Sequence, residues 1–169
     1  MKYSIIVPVF NRPDEVGELL DSLSRQTVKD FEVVIVEDGS RRPCKDVCDG
    51  FTGKLDIKYF MKENSGPGQS RNYGAERASG DYLIILDSDV VLPESYLQAV
   101  SDELSQEEAD AFGGPDRSHP SFTDTQKAIS YSMTAFLTTG GIRGGKKKLD
   151  KFYPRSFNMG IHRDAYQAL

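Results

Sequence analysis

At 169 residues, with 21 Lys and Arg against 26 Asp and Glu, the chain carries a formal net charge of −5 at pH 7. That acidic balance argues against a nucleic-acid or anionic-membrane binder, and no apolar run approaches the length of a bilayer-spanning helix. Hydrophobic residues at 38% and charged residues at 28% suit one domain, residues 1–169, large enough to bury a core. The apolar stretch near the N-terminus is too short for a signal peptide, so the expected location is the cytoplasm, at most peripheral to the inner face of the membrane.

Residues 3–9 read as a strand, and Pro13 starts a helix with Asn11 close enough to cap it. Val16, Leu19, Leu20 and Leu23 recur at helical spacing and give that helix a buried stripe. Residues 31–36 form a continuous apolar strand that runs into Glu37-Asp38-Gly39-Ser40. A short helix across Cys44 and Cys48 follows, then a third strand over residues 56–61. These are the chain's two cysteines; their spacing fits one helix face rather than a redox pair or zinc knuckle, so they read as structural thiols. Residues 63–68 are a loop on composition, and the helix after it carries Arg71, Asn72 and Ala75 and ends near Gly80.

The apolar run 82–86 is a strand that leads directly into Asp87-Ser88-Asp89. Pro93 then opens a helix with Tyr96, Leu97, Val100 and Leu104 inward. Further on, residues 110–114 suit a strand, and residues 125–137 suit a helix with Ile129, Met133 and Phe136 inward. Residues 139–151 hold four glycines, four lysines and an arginine, a basic loop that is either a binding flap or unstructured without ligand. Residues 157–161 read as a last strand. Strands apolar throughout, with helices between them, indicate an α/β fold: a Rossmann-like, mostly parallel sheet with helices on both faces.

In such sheets ligands collect at the carboxyl ends of the strands. Three polar clusters sit at strand ends here: Phe10-Asn11-Arg12, Glu37-Asp38-Gly39-Ser40 and Asp87-Ser88-Asp89. Side chains alternate along a strand, so Asp87 and Asp89 point the same way. Two ionised carboxylates at close range repel, and a divalent cation relieves the repulsion. Mg²⁺ or Mn²⁺ prefers oxygen ligands and keeps positions open for substrate phosphates.

Taken together, these residues resemble the inverting family 2 glycosyltransferases, which have a GT-A fold. Residues 4–11, SIIVPVFN, resemble the family's opening strand, and Glu37-Asp38-Gly39-Ser40 its acidic "DDGS" segment. Gly66 with Ser70-Arg71-Asn72-Tyr73-Gly74-Ala75 resembles the "G…ARNxG" helix, and Asp87-Ser88-Asp89 the DxD motif. Spacing and order match over about residues 3–98, and residues 157–163 still resemble the family's "NxAxRR" strand.

The resemblance implies a role for each matching position. Pro8, Phe10 and Asn11 match the loop that lies against the nucleotide base and ribose. Asp38 matches the carboxylate that accepts a hydrogen bond from the base, and Glu37 its acidic neighbour. Arg71 matches a basic residue near the base and phosphates. Asp87 matches the ribose- or metal-side carboxylate, Asp89 the direct metal ligand, and Ser88 stands between them at the donor. The implied cofactor is Mg²⁺ or Mn²⁺, and the implied partners are a nucleotide-sugar donor, of which UDP-sugar is the first choice, and a glycan or lipid-linked acceptor.

An inverting transferase also needs a general base for the acceptor hydroxyl. The family's acidic "ED" segment has no match after Gly113, so no catalytic base is carried over; Asp116 and Asp164 are acidic but lack a motif, and His119 and His162 read as ordinary surface or strand-end residues. The expectation is therefore a fragment with the donor half present and the acceptor half incomplete. Two functions stay open: a glycosyltransferase of polysaccharide or glycan synthesis, and a nucleotide-binding module without turnover. A sugar-phosphate nucleotidyltransferase would want a Gly-rich loop with Arg where Pro8-Val9-Phe10-Asn11 stands.

Overall fold

The computed structural model of the chain describes residues 1–114, 123–134 and 158–169. Six strands form one sheet: β1 (Tyr3–Val9), β2 (Phe31–Asp38), β3 (Asp56–Lys62), β4 (Tyr82–Ile85), β5 (Ala111–Gly113) and β6 (Met159–His162). Their order across the sheet is β3-β2-β1-β4-β6-β5. The first four are mutually parallel, and β6 runs antiparallel to both neighbours. Helices α1 (Pro13–Ser24), α2 (Lys45–Asp49), α3 (Pro67–Ala75), α4 (Tyr96–Gln106), α5 (Asp124–Thr134) and α6 (Arg163–Gln167) complete the described elements. This is the α/β arrangement with a mostly parallel sheet that the apolar strands led one to expect.

The pleat divides the core in two. Ile5, Val7, Val33, Ile35 and Ile84 face one side and pack with Val16, Leu19, Leu20 and Leu23 of α1 and Leu97 and Val100 of α4. Ile6, Val34, Val36, Leu83 and Ile85 face the other side with Ala75 of α3 and Ile161 of β6. Because both faces are covered, the central strands carry apolar residues at every position instead of alternating. Cys44 and Cys48 are buried free thiols within the first cluster, in keeping with a structural role.

Helix α3 lies close against β1 and β2, and Gly74 is the reason it can. A Cβ at that position would fall 2.6 Å from Ile6 Cγ2 and 3.1 Å from Val36 Cγ2. Overpacking in Gly74→Ala costs about 1–3 kcal/mol against the roughly 1 kcal/mol that alanine gains in helix propensity, so a net destabilisation of up to about 2 kcal/mol is expected. A urea denaturation midpoint at or above wild type would contradict this packing.

Several expectations need correction. Asn11 does not cap α1; Arg12 holds that position, without a side-chain cap. Asn11 adopts a left-handed backbone (φ 58°), which turns its Oδ1 toward the amides of Arg41 and Arg42. Helix α3 stops at Ala75 rather than near Gly80, because the amides of Ser79 and Gly80 donate to Glu32 Oε1 (2.6 Å) and Ser4 Oγ (2.8 Å). Helix α4 begins at Tyr96 rather than at Pro93. The carbonyl of Pro93 accepts from Gln26 Nε2 and Tyr96 N, and the buried Gln26 accepts from Leu97 N, standing in for a local cap. Ile129, expected inward, is exposed: periodicity marks an apolar stripe without showing that a partner surface meets it. His162 closes β6, and its Nδ1 accepts the Asp164 amide, as befits a strand-end residue. Phe136, Asp116, His119 and the basic loop at 139–151 lie outside the described residues.

Candidate functional site

Strands β2, β1 and β4 are neighbours, and their carboxyl ends open on one side of the sheet. The chain crosses from β3 back to β4 on the far side of β1, so the gap between β1 and β4 is a switch point of the topology, where α/β sheets bind ligands. A cleft of about 330 Å³ lies there, lined by Pro8, Val9, Phe10, Arg12, Asp38, Pro67, Asp87, Ser88 and Asp89.

Of the residues singled out in the sequence, Pro8, Phe10, Asp38, Asp87, Ser88 and Asp89 line this cleft together. Phe10 lines it with 51% of its surface exposed, which leaves its ring accessible. Arg71, on α3, reaches the cleft through its partner: its Nη2 donates to Asp87 Oδ1 at 3.0 Å. Asn11 and Glu37 do not line it.

Asp38 has both carboxylate oxygens engaged. Oδ1 accepts from Lys62 Nζ and from the Ser65 amide (2.9 Å), and Oδ2 accepts from the Gly66 amide (2.8 Å). Burial alone would raise its pKa, but the Lys62 ammonium and the two amides outweigh burial and hold the carboxyl below its usual value. Asp38 thereby fixes the turn that starts α3, with Pro67 in the cleft wall. Gly39 next to it has φ 73°, and a Cβ there would meet Asn64 N at 2.7 Å, so the loop before α3 can close on the end of β2 only over a glycine.

Glu37 points to the opposite face of β2. It is fully buried, accepting from Ser40 Oγ, from the Cys44 amide (2.8 Å) and from Tyr59 Oη (3.1 Å). Ser40 Oγ in turn accepts the Asn11 amide at 2.7 Å. Glu37 and Asn11 thus join the loops after β1 and β2 from behind, which sets where Phe10 stands. Successive side chains along a strand point to opposite faces of the sheet, which separates Glu37 from Asp38.

Reading the sequence missed Arg12, Val9 and Pro67 as cleft residues. Arg12 Nη1 donates to Asp89 Oδ2 at 2.7 Å across 77 positions of sequence. The only available signal was its place in the polar cluster after β1.

Asp87 and Asp89 are the candidate metal ligands. No group of three or more His, Cys, Asp or Glu that could hold a metal forms among the described residues. Two carboxylates are nevertheless a fitting protein share for Mg²⁺ or Mn²⁺, whose remaining positions go to phosphate oxygens and water. The site thus fits a cation shared with a bound diphosphate, rather than one caged by protein alone.

Comparison with known proteins finds glycosyltransferases. GlyA, a glycosyltransferase of Streptococcus pneumoniae, is 34% identical over 111 residues, covering 64% of this chain and 16% of its own length. The poly(ribitol-phosphate) beta-N-acetylglucosaminyltransferase TarS of Staphylococcus aureus is 32% identical over 114 residues, 65% of this chain and 20% of that protein. The structure of S. aureus TarS 1–349 in complex with UDP-GlcNAc superposes with a TM-score of 0.63 at 31% identity, covering 71% of this chain and 37% of that one. A mannosyltransferase from Pyrobaculum calidifontis, in complex with GDP-Man and Mn²⁺, shares the fold at a TM-score of 0.64 and 23% identity, over 69% of this chain and 36% of that one. The chain therefore spans well under half the length of these relatives. The family model described as glycosyl transferase family 2 matches residues 4–169, and the chain belongs to that family.

Proposed function

We propose that the cleft binds the nucleotide-diphosphate part of a sugar donor, with UDP-sugar the first choice, and that the whole enzyme passes the sugar to a hydroxyl of a glycan or lipid-linked acceptor with inversion. The observation that carries this reading is the convergence of Asp38, Asp87 and Asp89 with Phe10 in one cleft at the switch point of the sheet. The similarity to TarS, whose structure holds UDP-GlcNAc, supports the choice of donor. Phe10 offers a face for the base, Pro8 and Ser88 line the wall, and Arg71 holds Asp87 in place. Asp87 and Asp89 would hold Mg²⁺ or Mn²⁺, which when bound neutralises the diphosphate leaving group.

Calorimetry with UDP and Mn²⁺ tests the reading. Asp89→Ala is expected to weaken metal-dependent UDP binding by about tenfold or more, the loss of one charged ligand. Binding unchanged in that variant removes the metal from the mechanism.

One observation favours a second reading, a nucleotide-binding module without turnover. The carboxylates that line the cleft among the described residues are Asp38, Asp87 and Asp89, and each is already held by a cationic side chain. None is left to take a proton from an acceptor hydroxyl. Donor hydrolysis or sugar transfer by the 169-residue chain separates the two readings.

A further inference from the structure

Two arginines hold the two carboxylates of the Asp87-Ser88-Asp89 segment, and they are not alike. Arg71 is 17% exposed, sits on α3 where the helix packs on the sheet, and keeps its Nε buried with no hydrogen-bond partner among the described residues. It is a fixed group. Arg12 is 48% exposed and its partner Asp89 49%. Its backbone is anchored, because the preceding Asn11 is tied to Ser40, Arg41 and Arg42, while among the described residues its side chain has only the contact with Asp89 to hold it. It is a free guanidinium on a fixed post.

We propose that Arg12 stands in for the metal on Asp89 while the cleft is empty, and transfers to the donor's diphosphate when the metal loads. This exchange rests on the reading of the cleft as a diphosphate site. A divalent cation on Asp89 repels a guanidinium on the same carboxylate, so Asp89 exchanges one for the other. An exposed ion pair shifts an equilibrium by at most about fivefold, so Arg12 is displaced with little resistance. Displaced, it needs a new anion. Of the other carboxylates lining the cleft, Asp38 already has the Lys62 ammonium as its counter-charge together with the Ser65 and Gly66 amides, and Asp87 is paired with Arg71. The open anion within the cleft is then the diphosphate, which a guanidinium binds with two parallel N–H donors. Asp89 thus avoids standing as a bare charge beside Asp87 before loading, and the diphosphate gains a second positive group afterwards.

The exchange predicts opposite signs for two affinities. Arg12→Ala should take up Mn²⁺ alone about threefold more tightly than wild type, followed by electron paramagnetic resonance, because the competitor is gone. At saturating Mn²⁺ the same variant should bind UDP about tenfold more weakly by calorimetry, because a charge-assisted phosphate contact is lost. Arg12→Lys, which keeps the charge but not the two parallel donors, should fall between wild type and Arg12→Ala in UDP affinity. UDP binding unchanged in Arg12→Ala overturns the transfer, and Mn²⁺ uptake equal in the two proteins, or absent from both, overturns the exchange. Wild-type protein that binds no UDP at saturating Mn²⁺ defeats the function proposed above instead, so the two failures are separable.

Discussion

Glu32→Ala is expected to destabilise the fold by about 3–5 kcal/mol, the range for removing one partner of a buried charge network. That is a large part of the roughly 5–15 kcal/mol that holds a domain of this kind together. Glu32 is fully buried at the start of β2, at the end of the sheet away from the cleft. Its carboxylate accepts from Ser4 Oγ (2.6 Å), Ser79 N (2.6 Å) and Ser79 Oγ (2.7 Å), and pairs with Lys58 Nζ at 2.8 Å and Lys2 Nζ at 3.6 Å. One side chain therefore ties together β1, β2, β3 and the turn that ends α3. Alanine would leave Ser79 N, Ser4 Oγ and the Lys58 ammonium without their acceptor. Glu32→Gln keeps an oxygen and the shape, so its loss should be clearly smaller. Urea denaturation at pH 7 measures both; an alanine variant within about 0.5 kcal/mol of wild type would refute the assignment.

The same network sets a pH dependence. Burial would raise the Glu32 pKa, but the bonds from Lys58, Ser4 and Ser79 outweigh it and bring it down from 4.5 to about 2. A carboxyl with a folded value below its unfolded one stabilises the protein fully above the unfolded value, and that contribution fades as pH falls through the folded one. Wild type should therefore lose stability between pH 4.5 and about 2 more steeply than Glu32→Gln, in which nothing titrates at this position.

The sheet was legible because its central strands are buried on both faces, which writes them as unbroken apolar runs closed by polar clusters. The stripe of α1 was legible for the same reason, since Val16, Leu19, Leu20 and Leu23 all pay their way in one core. What escaped were the groups whose partners lie far off in sequence. Glu32 sits inside an apolar run, and its meaning depends on Lys58 one strand over and Ser79 beyond α3. The reversed direction of β6 has no mark in its apolar residues, because a buried strand reads alike in either sense.

At the site, the family motifs pointed to loops that meet at one cleft, but not to which residues within them line it. Glu37 and Asp38 are neighbours in one acidic segment, yet the pleat sends one behind the strand and the other into the cleft. Alternation along β2 held that signal: the strand continues through Asp38, so Glu37 and Asp38 point to opposite faces of the sheet. Arg12 was visible as a charge and invisible as a partner, because Asp89 is brought to it by the fold alone.

Asp38→Ala is expected to abolish most nucleotide binding, weakening UDP by about 100-fold or more, the equivalent of losing two charge-assisted hydrogen bonds at roughly 1.5–3 kcal/mol each. The effect is twofold. The carboxylate is itself part of the cleft wall, and it also holds the Ser65 and Gly66 amides that start α3 and set Pro67 against the cleft. Helix α3 has no side-chain cap of its own, so Asp38 supplies from β2 the negative charge that a helix start favours. Asp38→Asn separates the two contributions. It keeps one acceptor oxygen for the turn but turns an amide group toward donors and leaves Lys62 without its counter-charge. A thermal melt near wild type together with weakened UDP binding in Asp38→Asn would place the loss in the cleft. Wild-type affinity in Asp38→Ala would mean that the carboxylate at the end of β2 has no part in holding the nucleotide.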